Sequence, residues 1–152
     1  MSTSRYPRVM IELRPTPMLP GEIGVFAVRT IAMGKVIAPA SVFRLDVWMS
    51  WKASSRLDKC TRQKLFQYCP GERNGFHAPD DMNYLPLPWF TNHSCCPNAA
   101  FDAQGNLIAR QVIRSGTEIL WDYSTLEHNP LFRMVCKCGS RNCRKVIRAA
   151  GL

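Results

Sequence analysis

Three cysteines in Cys136-Lys-Cys138-Gly-Ser-Arg-Asn-Cys143 stand at C-x-C-x₄-C spacing, which puts three thiolates on one tight turn with Gly139 there to let it bend. Thiolates spaced this way hold zinc, and a structural zinc site takes four ligands in a tetrahedron. The hook therefore asks for one more ligand, and among the seven cysteines the remaining candidates are Cys60, Cys69, Cys95 and Cys96. With four thiolates around one ion the site carries about two negative charges, so the formal net charge of +9 falls to about +7. An odd cysteine count with no secretory context argues against a disulfide framework.

Two further runs concentrate groups that could do chemistry. Asn92-His-Ser-Cys-Cys-Pro-Asn98 packs an amide, an imidazole, a hydroxyl and two thiols into one short segment. Gly116-Thr-Glu-Ile-Leu-Trp-Asp-Tyr123 ends an apolar stretch on a tyrosine. Taken alone, His93 reads as a structural histidine, Tyr123 as a core tyrosine and Gly24 as a turn glycine.

Read together and in chain order, Gly24-Val-Phe-Ala27, Asn92–Asn98 and Gly116–Tyr123 resemble the SET-domain family of protein lysine methyltransferases. The C-x-C-x₄-C tail is similar to the post-SET zinc module that follows this domain in many members. The resemblance covers roughly residues 8–147 and implies a fourth zinc ligand: Cys95 joins Cys136, Cys138 and Cys143, while Cys96 points away on an extended backbone whose side chains alternate. It implies S-adenosylmethionine lying along Ile23-Gly24 and against Asn92-His93, with Phe90 lining the pocket. Gly24 would let the backbone approach the methionine moiety closely, and the Asn-His turn would offer backbone groups to the adenine edge. Tyr123 matches the tyrosine at the methyl-transfer centre and borders the cofactor. Its phenol oxygen, with nearby carbonyls, would orient the polarised methyl group and the incoming amine.

The chain departs from the family pattern at four places. Glu22 replaces the first glycine of Gly-x-Gly, and Leu85-Pro-Leu-Pro-Trp-Phe-Thr91 replaces the usual run before Asn-His. Lys145 stands at a common glycine position. Trp121 stands where Phe or Tyr is usual, and its indole either narrows the lysine channel or turns outward as core packing.

The elements that must position these residues are short. Strands are expected at 8–13, 23–28, Val36–Ile37 and, from period-two alternation, Phe43–Val47. Leu57, Thr61, Leu65 and Tyr68 recur at helical spacing behind a cap at Ser54 or Ser55, giving one helix over 54–68. Residues 69–90, rich in proline and glycine, read as loop. A hairpin joins 99–102 to 107–111 around Gln104-Gly105-Asn106, and a last buried strand covers 119–123. The fold class is mainly β with short helices. The resemblance adds small curved sheets and a pseudoknot in which the 92–98 segment passes beneath a loop near the C-terminus. The implied organisation is a flexible start at 1–7, a SET domain over 8–128 with a helical insert at about 49–80, and a post-SET segment over 132–148.

With 152 residues and 46% hydrophobic content, the chain suffices for one compact domain. No apolar run approaches the roughly 20 residues that span a bilayer, and no apolar leader follows the basic start. An intracellular place, cytoplasmic or nuclear, and no membrane partner are expected. Lys and Arg number 20 against 11 Asp and Glu, and the last acid is Glu127. Arg133, Lys137, Arg141, Arg144, Lys145 and Arg148 beyond it form either a solvated face or a nucleic-acid contact. A basic enzyme acting on a basic tail also needs acids near its channel, for which Asp80, Asp81, Glu118, Asp122 and Glu127 are candidates. The expected function is transfer of a methyl group from S-adenosylmethionine to a lysine of a protein substrate, a histone or another protein with an exposed lysine. The alternatives are a zinc-stabilised binding module without turnover and a basic nucleic-acid-associated protein. Retention of Asn92, His93 and Tyr123 together favours the enzyme.

Overall fold

The computed structural model describes residues 10–149, so the expected flexible start at 1–7 and the first two residues of the 8–13 strand lie outside the described residues. Strand β1 (Ile11–Pro15) pairs antiparallel with β2 (Ile23–Ala27), from Ile11↔Ala27 to Pro15↔Ile23. The ladder thus runs past Arg14 and ends on Pro15 itself, since a proline is tolerated at the margin of a two-stranded pair where its missing N–H is not needed. The second edge of β2 is taken up by the 117–119 segment, through Ala27 N–H to Thr117 O at 3.0 Å and Ile119 N–H to Val25 O at 2.7 Å. Being enclosed from both sides, β2 is buried from Gly24 to Ala27.

Strand β3 (Val36–Ala38) is followed by β4 (Val47–Ser50), not by a strand at Phe43–Val47. Arg44 adopts a φ of 44°, in the left-handed region that interrupts an extended run, and Phe43 packs on Phe101 and Trp89 instead. The helical stretch is broken as well, into α1 (Trp51–Ser54) and α2 (Lys59–Tyr68). Asp58 caps α2 by accepting from Thr61 N–H at 3.0 Å, whereas Ser54 donates its hydroxyl back to Trp51 O at 2.9 Å and Ser55 donates to Lys52 O. Leu57 therefore precedes the helix it was expected to join.

The 69–90 stretch is not all loop, because β5 (Gly75–Ala78) pairs antiparallel with β4 over its full length. Gly75 belongs there for a steric reason: a Cβ would come within 2.9 Å of Ser50 Cα and against Met49 O. Phe76, 1% exposed, anchors a core cluster of Leu65, Cys69, Phe76 and Ala78, over which Trp51 and Trp89 pack. The larger core contains Val25, Ala27, Ile31, Leu107, Ile113 and Ile119, with Phe90, Phe101 and Trp121 against it.

Strands β6 (Asn92–His93), β7 (Ala99–Phe101), β8 (Leu107–Ala109) and β9 (Leu120–Trp121) complete the site's frame. The hairpin β7–β8 turns through Gly105 (φ 80°) with Asn106 and Asp102 bonded to each other, and β8 also pairs with β3. Only Leu120 and Trp121 of the expected 119–123 strand pair as β structure. They do so parallel to β6, with Asn92↔Leu120 and His93↔Trp121 in register. Asn98 laces the same two segments again: its amide donates to Glu118 O and its carbonyl accepts from Leu120 N–H, at 2.8 and 2.9 Å. The basic tail folds as a hairpin of β10 (Arg133–Val135) and β11 (Val146–Arg148), whose Met134 and Ile147 face inward while Arg133, Val135 and Arg148 face solvent. The architecture is mainly β with a few short helices. No helix among the described residues is long and apolar enough to cross a membrane.

Candidate functional site

The sulfurs of Cys95, Cys136, Cys138 and Cys143 lie within 4.8 Å of one another. Tetrahedral Zn–S bonds of about 2.3 Å require sulfur pairs roughly 3.8 Å apart. The Cys95–Cys136 separation of 3.7 Å meets that requirement. The surroundings also suit thiolates: backbone N–H groups of Cys138, Arg144 and Lys145 donate to the sulfurs of Cys136, Cys95 and Cys143 at 3.5, 3.3 and 3.4 Å. Lys145 reaches this position with φ 64°, which explains why glycine would be at ease there. Exposed Cys96 and Cys60 and buried Cys69 lie outside the cluster. The residues therefore fit a four-thiolate zinc ion.

His93 joins this cluster to the segment carrying Tyr123. Its Nδ1 accepts the Tyr123 backbone N–H at 3.1 Å, which leaves the ring proton on Nε2, 3.5 Å from Cys95 Sγ. Burial pushes the imidazole down to about 4, against the opposing pull of Asp122. His93 is thus a neutral strut between Cys95 and the Tyr123 backbone. Asp122 caps the turn at Tyr123–Thr125 by accepting from Ser124 N–H. Burial alone would raise its carboxyl, but hydrogen bonds from Arg144 and Ser124 outweigh this and hold it below its usual range.

The Tyr123 hydroxyl donates to Thr91 O at 3.0 Å. Burial, reinforced by Tyr68 and the Glu118 carboxylate, pushes the phenol well above its usual range. Two concavities meet here and share Asn92, Tyr123 and Met134. The smaller, about 70 Å³, is walled by Met18, Leu19, His93 and the backbone around Cys136. The larger is a cleft of about 760 Å³. Its aromatic wall runs from Phe43 through Phe101 and Trp121 to Tyr123, with ring centroids 5.2, 4.9 and 4.8 Å apart, and is completed by Trp89, Phe90 and Tyr68. Trp121 packs on Phe101 and lines the cleft. Glu22, Asp102 and Glu127 are among the residues lining the cleft, although the Glu127 carboxylate accepts from Gly71 and Asn129 N–H and the Asp102 carboxylate from Gln104 and Asn106. Of the acids considered as local compensation, only Glu127 lines the cleft. Asp80 pairs with Arg44, Asp81 closes its own turn on Asn83, and Glu118 and Asp122 are engaged internally.

Ile23, Phe90 and Asn92 border the cleft, but Gly24 faces elsewhere. A Cβ on Gly24 would press into Glu118 Oε1, with Glu118 Cδ at 2.9 Å and Asn92 Nδ2 at 3.0 Å. Its lack of a side chain makes room for the Glu118 carboxylate. Glu118 receives Asn92 Nδ2 at 2.9 Å and the buried Thr16 hydroxyl at 2.8 Å, while Asn92 also donates to Ile23 O at 2.9 Å. Sequence reasoning named Glu118 only as a charge. Its position two residues after Gly116 and opposite β2 was the available signal. Tyr68 and Met134 were also missed as site residues, because each reaches the cleft from a segment far away in sequence.

The model of the SET domain matches residues 22–124. In mouse, the histone-lysine N-methyltransferase SETDB2 is 34% identical over 68 residues, 37% of this chain and 10% of that protein. The Drosophila pseudoobscura histone-lysine N-methyltransferase Su(var)3-9 is 29% identical over 94 residues, 49% of this chain and 15% of its own length. The chain thus matches no more than about a sixth of the length of these curated relatives. A solved Plasmodium falciparum protein described as a histone methyltransferase is 22% identical, covering 74% of this chain and 96% of its own at a TM-score of 0.46. With the family's domain matched over two thirds of the chain, the chain belongs to the SET domain family.

Proposed function

We propose that the protein is a protein-lysine N-methyltransferase that uses S-adenosylmethionine, acting on an exposed lysine of a basic protein such as a histone. The observation that carries this reading is the meeting of two concavities at Tyr123, one beside the cysteine cluster and one lined by aromatic rings. A cleft of this size lies in the usual range for small-molecule sites, about 300–1,000 Å³. S-adenosylmethionine, when bound, supplies an electrophilic methyl group. Ile23, Gly24, Phe90, Asn92, His93 and Tyr123 would hold it, Asn92 through an amide already fixed on Ile23 O.

A substrate ammonium, with an ordinary pKa of about 10.4, must lose its proton before it attacks. The raised phenol of Tyr123 is no base at neutral pH, so the proton leaves to solvent before the amine is enclosed. The hydroxyl, pinned on Thr91 O, keeps a lone pair with which to orient the transferring methyl. Aromatic rings of Phe43, Phe101 and Trp121 attract a cationic side chain entering the cleft, and the exposed Glu22 at its rim offsets part of the repulsion between a basic enzyme and a basic tail. In this reading residues 8–128 form the catalytic domain with an insert at about 49–80, residues 132–148 form the zinc-binding tail, and the protein works inside the cell, in nucleus or cytoplasm.

Mass spectrometry of lysine-bearing peptides incubated with protein and S-adenosylmethionine tests this. Steps of one methyl are expected, and Tyr123→Phe should largely abolish them while cofactor affinity stays within a few-fold, since the hydroxyl acts on the transition state. A Tyr123→Phe protein with normal turnover would remove this residue from the mechanism.

One observation favours a second property for the tail. Arg133 and Arg148 are partners across β10–β11, both exposed, and like charges placed directly opposite repel unless a polyanion neutralises them. Contact with nucleic acid on that face is compatible with methyl transfer in the cleft.

A further inference from the structure

One side chain joins the cysteine cluster to the Tyr123 segment without being required as a ligand or as part of either concavity. Arg144 directly follows Cys143. Its backbone N–H and its Nε–H both donate to Cys95 Sγ, at 3.3 and 3.5 Å. The far end of the guanidinium reaches Asp122 Oδ1 at 2.5 Å and Ser124 Oγ at 2.9 Å. These two residues flank Tyr123. The intervening backbone is hydrogen-bonded at each step: Tyr123 N–H to His93, Ser124 N–H to Asp122 Oδ1, Thr125 N–H to Asp122 O and Leu126 N–H to Tyr123 O.

We propose that Arg144 is a positioning residue that couples zinc loading of Cys95, Cys136, Cys138 and Cys143 to the order of the Asp122–Ser124 turn, and so to the aim of the Tyr123 hydroxyl. The physical basis is the ion's hold on one end of the link: it would fix Cys95, whose sulfur accepts from Arg144, and the Cys143 backbone from which Arg144 springs. The cluster with its ion carries about two negative charges and Asp122 one more, so a cation between them is held from both sides. Only arginine has the reach and the number of donors for this. Its planar fork serves Asp122 and Ser124 while Nε serves the sulfur, a division that lysine's single ammonium cannot reproduce. The inference rests on the zinc reading of the cysteines and does not depend on which protein is methylated.

Hydrogen exchange of the full chain, read by mass spectrometry with zinc content measured in parallel, tests the coupling. Zinc-loaded wild type should protect the amides of 122–126 about tenfold or more over chelator-stripped protein. Arg144→Gln that keeps its zinc should exchange at the stripped rate, with kcat lowered and the KM for S-adenosylmethionine little changed. Arg144→Lys should fall between. Asp122→Asn breaks the link at the end remote from the sulfurs and retains an acceptor for Ser124, so it reports the coupling even where Arg144→Gln fails to hold metal. It too should lose zinc-dependent protection. Wild-type protection in zinc-loaded Arg144→Gln, or zinc-dependent protection persisting in Asp122→Asn, overturns the proposal. Wild-type protein that binds no zinc overturns the metal reading itself and removes the basis of the coupling.

Discussion

Adding one methyl group at Gly24 separates two explanations of why glycine stands there. The backbone at Gly24 is not in the left-handed region, so alanine meets no torsional objection, and the cost is the collision alone. The new Cβ presses on Glu118 Oε1 and lies 2.9 Å from Glu118 Cδ, where ordinary van der Waals contact begins at 3.4 Å. The carboxylate must swing away, giving up its bonds to Asn92 and to the Thr16 hydroxyl. Hydrogen bonds to a charged group contribute about 1.5–3 kcal/mol each, and for a half-buried carboxylate the lower end applies, so the loss is about 3 kcal/mol. Replacing glycine by alanine restores about 0.4–1 kcal/mol through the unfolded chain, leaving a net destabilisation of about 2 kcal/mol. Urea denaturation of the metal-loaded, cofactor-free protein measures it. The double variant Gly24→Ala/Glu118→Ala should lose less than the sum of its single variants, because both remove the same bonds. Unchanged stability in Gly24→Ala, with only cofactor affinity reduced, would refute the reasoning and return Gly24 to direct contact with S-adenosylmethionine.

Three other expectations follow from the same geometry. Trp121→Phe should shift products towards more methyl groups on one lysine, since a smaller ring beside Phe101 and Tyr123 leaves space for an amine already carrying a methyl, and an unaltered product distribution in peptide mass spectra would confine the indole to packing. Cys138→Ser should lose most of its one zinc per chain, read by elemental analysis, together with the stability of the β10–β11 hairpin. Replacing Arg148 by alanine should weaken duplex DNA binding at low salt and flatten its salt dependence, leaving peptide methylation unchanged, and equal DNA affinity in the variant would return that arginine to a solvated surface.

What could be read from the chain before its structure was known divides by distance along the sequence. Cys136, Cys138 and Cys143 announce themselves because their ligand geometry is local. Cys95 lies 41 residues before Cys136, and only the resemblance of the Asn92–Asn98 segment selected it from four candidates. Errors in the elements also have local causes. Serine and aspartate both cap helices, and Ser54 was the wrong one because its hydroxyl turns back onto Trp51. The alternation at Phe43–Val47 is real in composition but Arg44 breaks it, and the paired strand begins where the alternation ends. β5 was hidden because Gly-Phe-His-Ala sits among prolines and glycines, and its pairing with β4 is a property of the fold. Gly24 stood out as a place for close backbone approach, and a Cβ there would meet Glu118. Its neighbour there, Glu118, depends on three segments meeting, which no local pattern records.

The parallel pair β6–β9 has a consequence for transplantation. Each strand is two residues long, far too short to persist alone, and neither is joined to the other by a turn. Their alignment is imposed by Asn98, by β2 and by the core around Ile119, so the residues at Tyr123 cannot be cut out as a cassette and grafted onto another scaffold. A designer wishing to borrow this site would have to borrow nearly the whole domain.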